Sequence, residues 1–260
     1  MDTATIEQEK KKVLRLALFA GEIMLCNGGE TYRVEDTILR ICHSRNIYHV
    51  SAFVTPTVII IADDRHDGFS FMKSIDTRVT NLQRVAMVNN FSREFVNNDI
   101  GLDEAIVELE SILKRSEYPD SFRVVLCGIA SSMFTGMLGG SPSDLVCALV
   151  ISIIATVTSM KMYDLDNNSF LSNAVSGVII SILAILSLKS GIGHNMDMII
   201  VGSIMPLLPG VSFTNGLRDF IAGDLISGMS KVFEAAVLAV AIAISAGSVL
   251  SIYIKYGGVI

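Results

Sequence analysis

The sequence predicts an α-helical polytopic membrane domain of about five transmembrane helices, preceded by a cytosolic α+β domain, and three observations carry that prediction. Hydrophobic residues make up 51% of the 260 positions and charged residues only 18%, whereas a soluble chain carries about 25% charge. The charge is also one-sided: of 20 Lys and Arg, only Lys161, Lys189, Arg218, Lys231 and Lys255 lie beyond residue 123. Finally, five apolar segments follow Pro119, at about 122–139, 143–163, 170–188, 196–209 and 229–253. Several approach the roughly 20 residues that span a bilayer core. Helices are expected there, because a backbone in lipid has to satisfy its own hydrogen bonds.

Residues 1–120 read as an ordinary polar domain, and residues 121–260 as the membrane domain. From Ile6 to Cys26 the apolar positions Val13, Leu14, Ala17, Leu18, Gly21 and Leu25 keep helical spacing, and Gly28-Gly29 ends that helix. Thr31 to His43 forms a second helix, with Val34, Ile38 and Ile41 on one side. Its acidic residues Glu35 and Asp36 come early, where the helix dipole favours them. The period then changes to that of strands. Tyr48–Val54 and Val58–Ala62 are rich in β-branched residues and flank Thr55-Pro56-Thr57; a turn cluster at Asp63–Gly68 leads to a third strand over Phe69–Ile75. Helical periodicity returns over Val79–Val96 and Leu102–Leu113. Two helices, three short strands and two helices make a compact α+β domain.

Two of the membrane segments carry small residues at every fourth position: Gly128, Ser132, Gly136 and Gly140 in the first, and Ala235, Ala239, Ala243, Gly247 and Ser251 in the fifth. Such ridges let helix backbones approach closely inside a bundle. Lys114, Arg115 and Arg123 flank the first span. Positive flanks stay cytoplasmic, which places the N-terminal domain inside the cell and the membrane domain in the cell membrane.

Several function classes are excluded by composition and motif. The formal charge of −6 leaves no basic stripe for nucleic acid. The polar start, Met1 to Lys12, is no signal peptide. Cys26, Cys42, Cys127 and Cys147 lack metal-type spacing, and His43, His49, His66 and His194 are scattered. There is no Walker loop, Rossmann fingerprint or nucleophile elbow, so no cofactor, metal or catalytic residue is expected.

The chemistry that remains gathers in a few places. The fourth segment is short, contains Pro206 and Pro209, and runs into the polar stretch Ser212–Asp219 and then Asp224. A proline-broken apolar segment points to a transporter's binding site, where unwound backbone and helix ends are exposed to substrate. Asn215, Arg218 and Asp219 are the candidate lining, with Arg218 suited to a carboxylate; a helix end followed by a cytoplasmic loop is the plainer alternative. Glu234 lies inside the fifth span, where an ionisable residue either faces a water-filled path and couples a proton or snorkels beside Lys231. Asp144 follows Ser141-Pro142-Ser143, so it is a helix cap or a second proton-coupling candidate. In the N-terminal domain, Glu30, Thr31, Arg33 and Glu35, together with Thr55 and Thr57, stand out as motif residues or as turn and capping chemistry.

The segments CNGGETYRVEDTI (from Cys26), FVTPTVII (from Phe53), VNNFSREF (from Val88), LDEAIVELESI (from Leu102) and PGVSFTNGLRDFIAGDLISG (from Pro209) resemble, in this order, the threonine/serine exporter family. The resemblance extends over nearly the whole chain. It implies a cytosolic domain ahead of a helical membrane domain and secondary transport driven by the proton-motive force. The chain is similar to the first component of the family's split, two-protein form. That implies a second small polytopic membrane subunit as partner and export of threonine, serine or a succinate-like dicarboxylate. Two rivals stand beside this reading: a membrane-anchored enzyme and a regulatory subunit, either acting through the N-terminal domain.

Overall fold

The computed structural model describes residues 3–65, 68–115 and 118–256. The chain forms two compact units, residues 1–116 with 211–233 and residues 117–210 with 234–260.

The first unit opens with α1 (Thr3–Cys26) and α2 (Thr31–Ser44), followed by β1 (Val50–Thr55), β2 (Val58–Asp63) and β3 (Ser70–Ser74), then α3 (Leu82–Asn97) and α4 (Leu102–Lys114). All seven elements fall where the sequence periodicity predicts them, within a few residues at each end. The strands pair antiparallel in the order β1-β2-β3, with Val54 opposite Ile59 and Ile61 opposite Phe71. In β2, alternate residues Ile59 and Ile61 are fully buried, as a sheet with one covered face requires. His66 and Asp67 of the predicted turn lie outside the described residues.

The core of this unit is made by Leu14, Ala17 and Met24 of α1, Val34, Ile38 and Ile41 of α2, Val88, Phe91 and Phe95 of α3, and Leu109 of α4. Each aliphatic side chain of this size contributes about 1.5–3 kcal/mol when it leaves water. The unit is completed by α9 (Gly210–Ala222) and the first turns of α10 (Leu225–Lys255). Here the structure corrects the expectation of unwound backbone: Ser212–Asp219 is regular helix. Asn215, Gly216 and Asp219 share its buried face at helical spacing.

The second unit contains α5 (Asp120–Met137), α6 (Pro142–Asp166), α7 (Ser169–Lys189), α8 (Met196–Ile204), a 3-10 turn at Met205–Leu207, and α10 from Glu234 onward. In α5 the seam Val124, Gly128, Ser131 and Thr135 is buried. A Cβ at Gly128 would lie 2.7 Å from Ile153 Cγ1 and 3.1 Å from the Leu149 carbonyl, so this glycine sets how closely α5 approaches α6. Ser131 Oγ donates to the Ala148 carbonyl at 3.2 Å, and Ser176 Oγ of α7 to the Ala155 carbonyl at 3.3 Å.

The small-residue ridge of the last helix is only partly used. Ala235 is buried, but Ala243, Gly247 and Ser251 are exposed, and Ala241, Ile242 and Ala246 are buried instead. A strict four-residue repeat advances about 40° per step on a helix of 3.6 residues per turn. After three or four steps it has wound off the contact line.

Among the described residues, three helices are long and apolar enough to cross a membrane: Pro142–Asp166, Ser169–Lys189 and Leu225–Lys255. A fourth is added if Met196–Leu207 and Gly210–Ala222 make one broken span. The expected first span forms the 18-residue α5, whose first turn carries Asp120 and Arg123, and it falls short of that standard. The protein is thus mainly helical and of the membrane class, with a small three-stranded sheet near its N-terminus.

Candidate functional site

The residues that the sequence separates into a membrane-pathway group and an N-terminal group meet in the first unit. Helix α2 begins at Thr31, and its N-cap, Glu30, gives the helix no side-chain cap. The exposed amides of a helix N-terminus attract negative charge, and here that charge comes from α9. Asp219 Oδ1 accepts the Thr31 N–H at 3.0 Å. Asp219 Oδ2 accepts Lys231 Nζ at 2.7 Å, and the same ammonium donates to the Gly29 carbonyl at 3.2 Å. Asp219 is 0% exposed and Lys231 8% exposed, so the pair is removed from water and tied to backbone on both sides.

The neighbouring contacts extend this junction. Asn215 Nδ2 donates to the Gly28 carbonyl at 2.8 Å. Gly28 has φ +89°, a left-handed backbone that glycine adopts without strain and that turns its carbonyl out of α1. Thr31 Oγ1 lies 3.4 Å from Asp224 Oδ2 as a weak donor. Glu30 is gripped by two guanidiniums, Arg218 Nη1 at 2.9 Å on Oε1 and Arg33 Nη1 at 3.1 Å on Oε2. Burial by itself would raise the Glu30 carboxyl, but its own backbone N–H, Arg218 and Arg33 outweigh that and hold it below its usual value.

Glu35, one turn further along α2, behaves in the opposite way. Its Oε1 accepts the Val54 N–H at 3.0 Å. Burial pushes its carboxyl up, and the like charges of Asp224 and Asp219 add to that beyond what the Val54 bond offsets. The carbonyl of Val54 accepts Ser227 Oγ at 3.2 Å, so the end of β1 is fastened to both α2 and α10. Thr55 and Thr57 are turn chemistry: Thr55 Oγ1 accepts the Val58 N–H at 3.2 Å and stands 3.5 Å from Thr57 Oγ1.

Two glycines make the α9–α10 hairpin this tight. A Cβ at Gly216 would stand 2.9 Å from Val232 Cγ2 and 3.0 Å from Lys231 Cβ, and one at Gly228 would stand 2.6 Å from the Phe220 nitrogen. Beside the junction lies a cavity of about 260 Å³, lined by Glu30, Arg33, Asn89, Asn90, Asn215 and Arg218 with an apolar wall from α3 and Val211.

The remaining candidates lie in the second unit. Pro206 sits in the 3-10 turn and Pro209 just before α9. Asp144 closes a capping box with Ser141 at the start of α6, and it also accepts the His194 N–H at 2.7 Å, the Asn195 N–H at 3.1 Å and Asn195 Nδ2 at 3.2 Å. Its two oxygens thus hold the α7–α8 loop to the α6 N-terminus. Glu234 is the first residue of α10 in this unit, and Lys231, in the first unit, pairs with Asp219. Sequence reasoning names Lys231 only as a neighbour of Glu234 and misses Ser227. A lysine in an otherwise apolar helix was the available signal for the first; Ser227 gave none. Among the described residues, no three His, Cys, Asp or Glu side chains gather as a metal-holding group.

The model of the family described as "Putative threonine/serine exporter" matches residues 15–253. The chain belongs to the threonine/serine exporter family. Among curated relatives, a protein of Mycobacterium tuberculosis named "Probable threonine/serine exporter" is 22% identical over 256 residues, covering 96% of this chain and 46% of its own length. "Pheromone-regulated membrane protein 10" of Yarrowia lipolytica is also 22% identical, over 245 residues, covering 90% of this chain and 20% of its own. The chain therefore spans about half the length of the Mycobacterium relative and a fifth of the Yarrowia one. No solved structure matches it.

Proposed function

We propose that the chain is one subunit of a secondary exporter of a small amino acid (threonine or serine) or of a succinate-like dicarboxylate, driven by the proton-motive force. The observation that carries this reading is the junction of Asp219 and Arg218 with Thr31 and Glu30, because it makes one charged cluster from the two segments richest in family-like residues. Asp224 and Glu35, whose carboxyls burial holds above their usual values, form its proton-responsive part. Pro206 and Pro209 break the chain ahead of α9, and Asn215, Arg218, Asp219 and Asp224 line the pathway. Glu234 and Asp144 are the further candidates for proton coupling.

In this reading α5 completes a set of five spans in the cell membrane. The basic flank Lys114, Arg115 and Arg123 keeps the N-terminal α+β domain in the cytoplasm. The chain's partner in this reading is a second small polytopic membrane subunit of the same family.

Efflux from intact cells tests the proposal. Cells expressing the chain with its partner and preloaded with labelled threonine, serine or succinate should lose label faster than cells lacking the chain. A protonophore should abolish the difference. Equal efflux of all three labels in both strains would contradict it.

A further inference from the structure

We propose that the cavity flanked by Arg33 and Arg218 is a binding site for the carboxylate of a small metabolite. The argument starts from its charges. Glu30 is almost wholly buried, and its two oxygens are already taken, one by each guanidinium. Two arginines against one carboxylate leave one uncompensated positive charge on the lining. Each guanidinium gives one Nη1 hydrogen bond to Glu30 and carries further N–H groups in the same rigid plane. A second carboxylate bridging Arg33 and Arg218 neutralises that charge and uses donors already held in place. Glu30 thus works as a positioning residue, and the arginines are the ligand-binding groups.

The rest of the lining sets the ligand's size and its other end. The cavity is about 260 Å³, at or below the small end of ordinary ligand pockets, roughly 300–1,000 Å³. It admits a molecule the size of an amino acid or a four-carbon diacid and excludes a nucleotide or a peptide. Asn89 and Asn90 of α3 and Asn215 of α9 add neutral amides. Asn215 gives its Nδ2 to Gly28 and keeps its Oδ1 as an acceptor. Such amides suit a hydroxyl, ammonium or second carboxyl group. Val85 and Ala86 of α3, with Val211, add apolar lining that matches a short carbon chain.

The choice of probes rests on the export reading above, but binding at this cavity does not require transport, so the two can fail separately. Calorimetric titration of the full chain in lipid nanodiscs with L-serine, L-threonine and succinate provides the test. At least one should bind saturably, and the corresponding amide (serinamide, threoninamide or succinamide) should not. Arg218→Gln should weaken binding by a factor of about ten to a hundred, the range expected for losing a hydrogen bond to a charged group. Asn90→Ala, at an exposed position on α3, removes a lining amide with little risk to folding and should weaken binding without abolishing it. Arg33→Lys, which keeps charge but not the planar fork, should recover part of what Arg33→Gln loses. Failure of all three carboxylates to bind a folded wild-type chain would overturn the proposal. So would equal binding by inorganic phosphate, or undiminished binding by folded Arg218→Gln and Arg33→Gln variants. Binding without flux would uphold this site and count against export; flux without binding would do the reverse.

Discussion

Asp219 closes the N-terminus of helix α2 from 188 positions away in sequence, accepting the Thr31 N–H on one oxygen and the Lys231 ammonium on the other. Local caps of the Ser or Asp kind satisfy a helix end within its own segment. Here the cap makes the start of α2 depend on α9, and α9 on α10. The stability of the N-terminal helices and the charge state of the cluster are therefore one problem.

Thr31→Pro isolates that cap. Proline at the first helical position suits the α-helix, because its fixed φ is pre-organised and the N–H it lacks has no partner within the helix. Glu30, at φ −69° and ψ 139°, already has the extended backbone that precedes proline comfortably. The main loss is the Thr31 N–H to Asp219 bond, at about 1.5–3 kcal/mol for a bond to a charged acceptor, with the weaker Thr31 Oγ1 contact to Asp224 lost beside it. Thermal unfolding should show a clear drop in midpoint. An unchanged midpoint would mean that the bond contributes nothing.

Asp219→Asn leaves the Lys231 ammonium buried without its counter-charge and should cost about 3–5 kcal/mol. Lys231→Met strands Asp219 in the same way. The double variant Asp219→Asn/Lys231→Met removes both charges together and should be more stable than the sum of the single losses predicts. A double-mutant cycle on unfolding midpoints measures this coupling; strict additivity would show that the pair does not act as a unit.

The glycines of the α9–α10 hairpin should separate from Gly247, further along α10. Gly228→Ala puts a Cβ against the Phe220 backbone, and Gly216→Ala puts one against Val232 and Lys231. Each should destabilise by about 1–3 kcal/mol through overpacking. A Cβ at Gly247 would meet nothing within 4 Å, so Gly247→Ala should be neutral or gain up to about 1 kcal/mol of helix propensity. Melting curves of the three variants should rank in that order.

Glu30 and Glu35 predict opposite responses to pH. Glu30 titrates below its usual value when folded, so its contribution is present above the ordinary glutamate pKa and is lost as pH falls through the folded value. Glu35 titrates above its usual value, so its contribution is present at low pH and is lost as pH rises through the folded value. The stability difference between wild type and Glu30→Gln should therefore shrink on acidification. Between wild type and Glu35→Gln, the balance should move toward the variant as pH rises. Unfolding midpoints across the acidic range check both; parallel pH profiles would contradict the assignment.

Much of this architecture is legible in the sequence, because local periodicity decided it. The β-branched runs on either side of Thr55-Pro56-Thr57 are β1 and β2, and the stripe Val34, Ile38, Ile41 is the buried face of α2. What was not legible depends on partners distant in sequence. Asn215, Gly216 and Asp219 make a polar stripe on the buried face of α9, and hydropathy alone reads such a stretch as a loop. Only Gly28, Thr31 and Lys231 explain why it stays helical and buried. Nothing in the chain order shows Arg218 beside Glu30, although each was marked as a candidate separately. The ridge of α10 failed for a geometric reason, since five small residues at intervals of four cannot all face one straight neighbour.

Flux in proteoliposomes holding the chain and its partner subunit tests the central claim most directly. Vesicles loaded with labelled threonine, serine or succinate should release at least one of them faster when a pH gradient is imposed. Asp219→Asn, reconstituted at equal density, should lose that response. Release no faster than from protein-free vesicles for all three compounds, or a full response from the Asp219→Asn protein, would contradict the account.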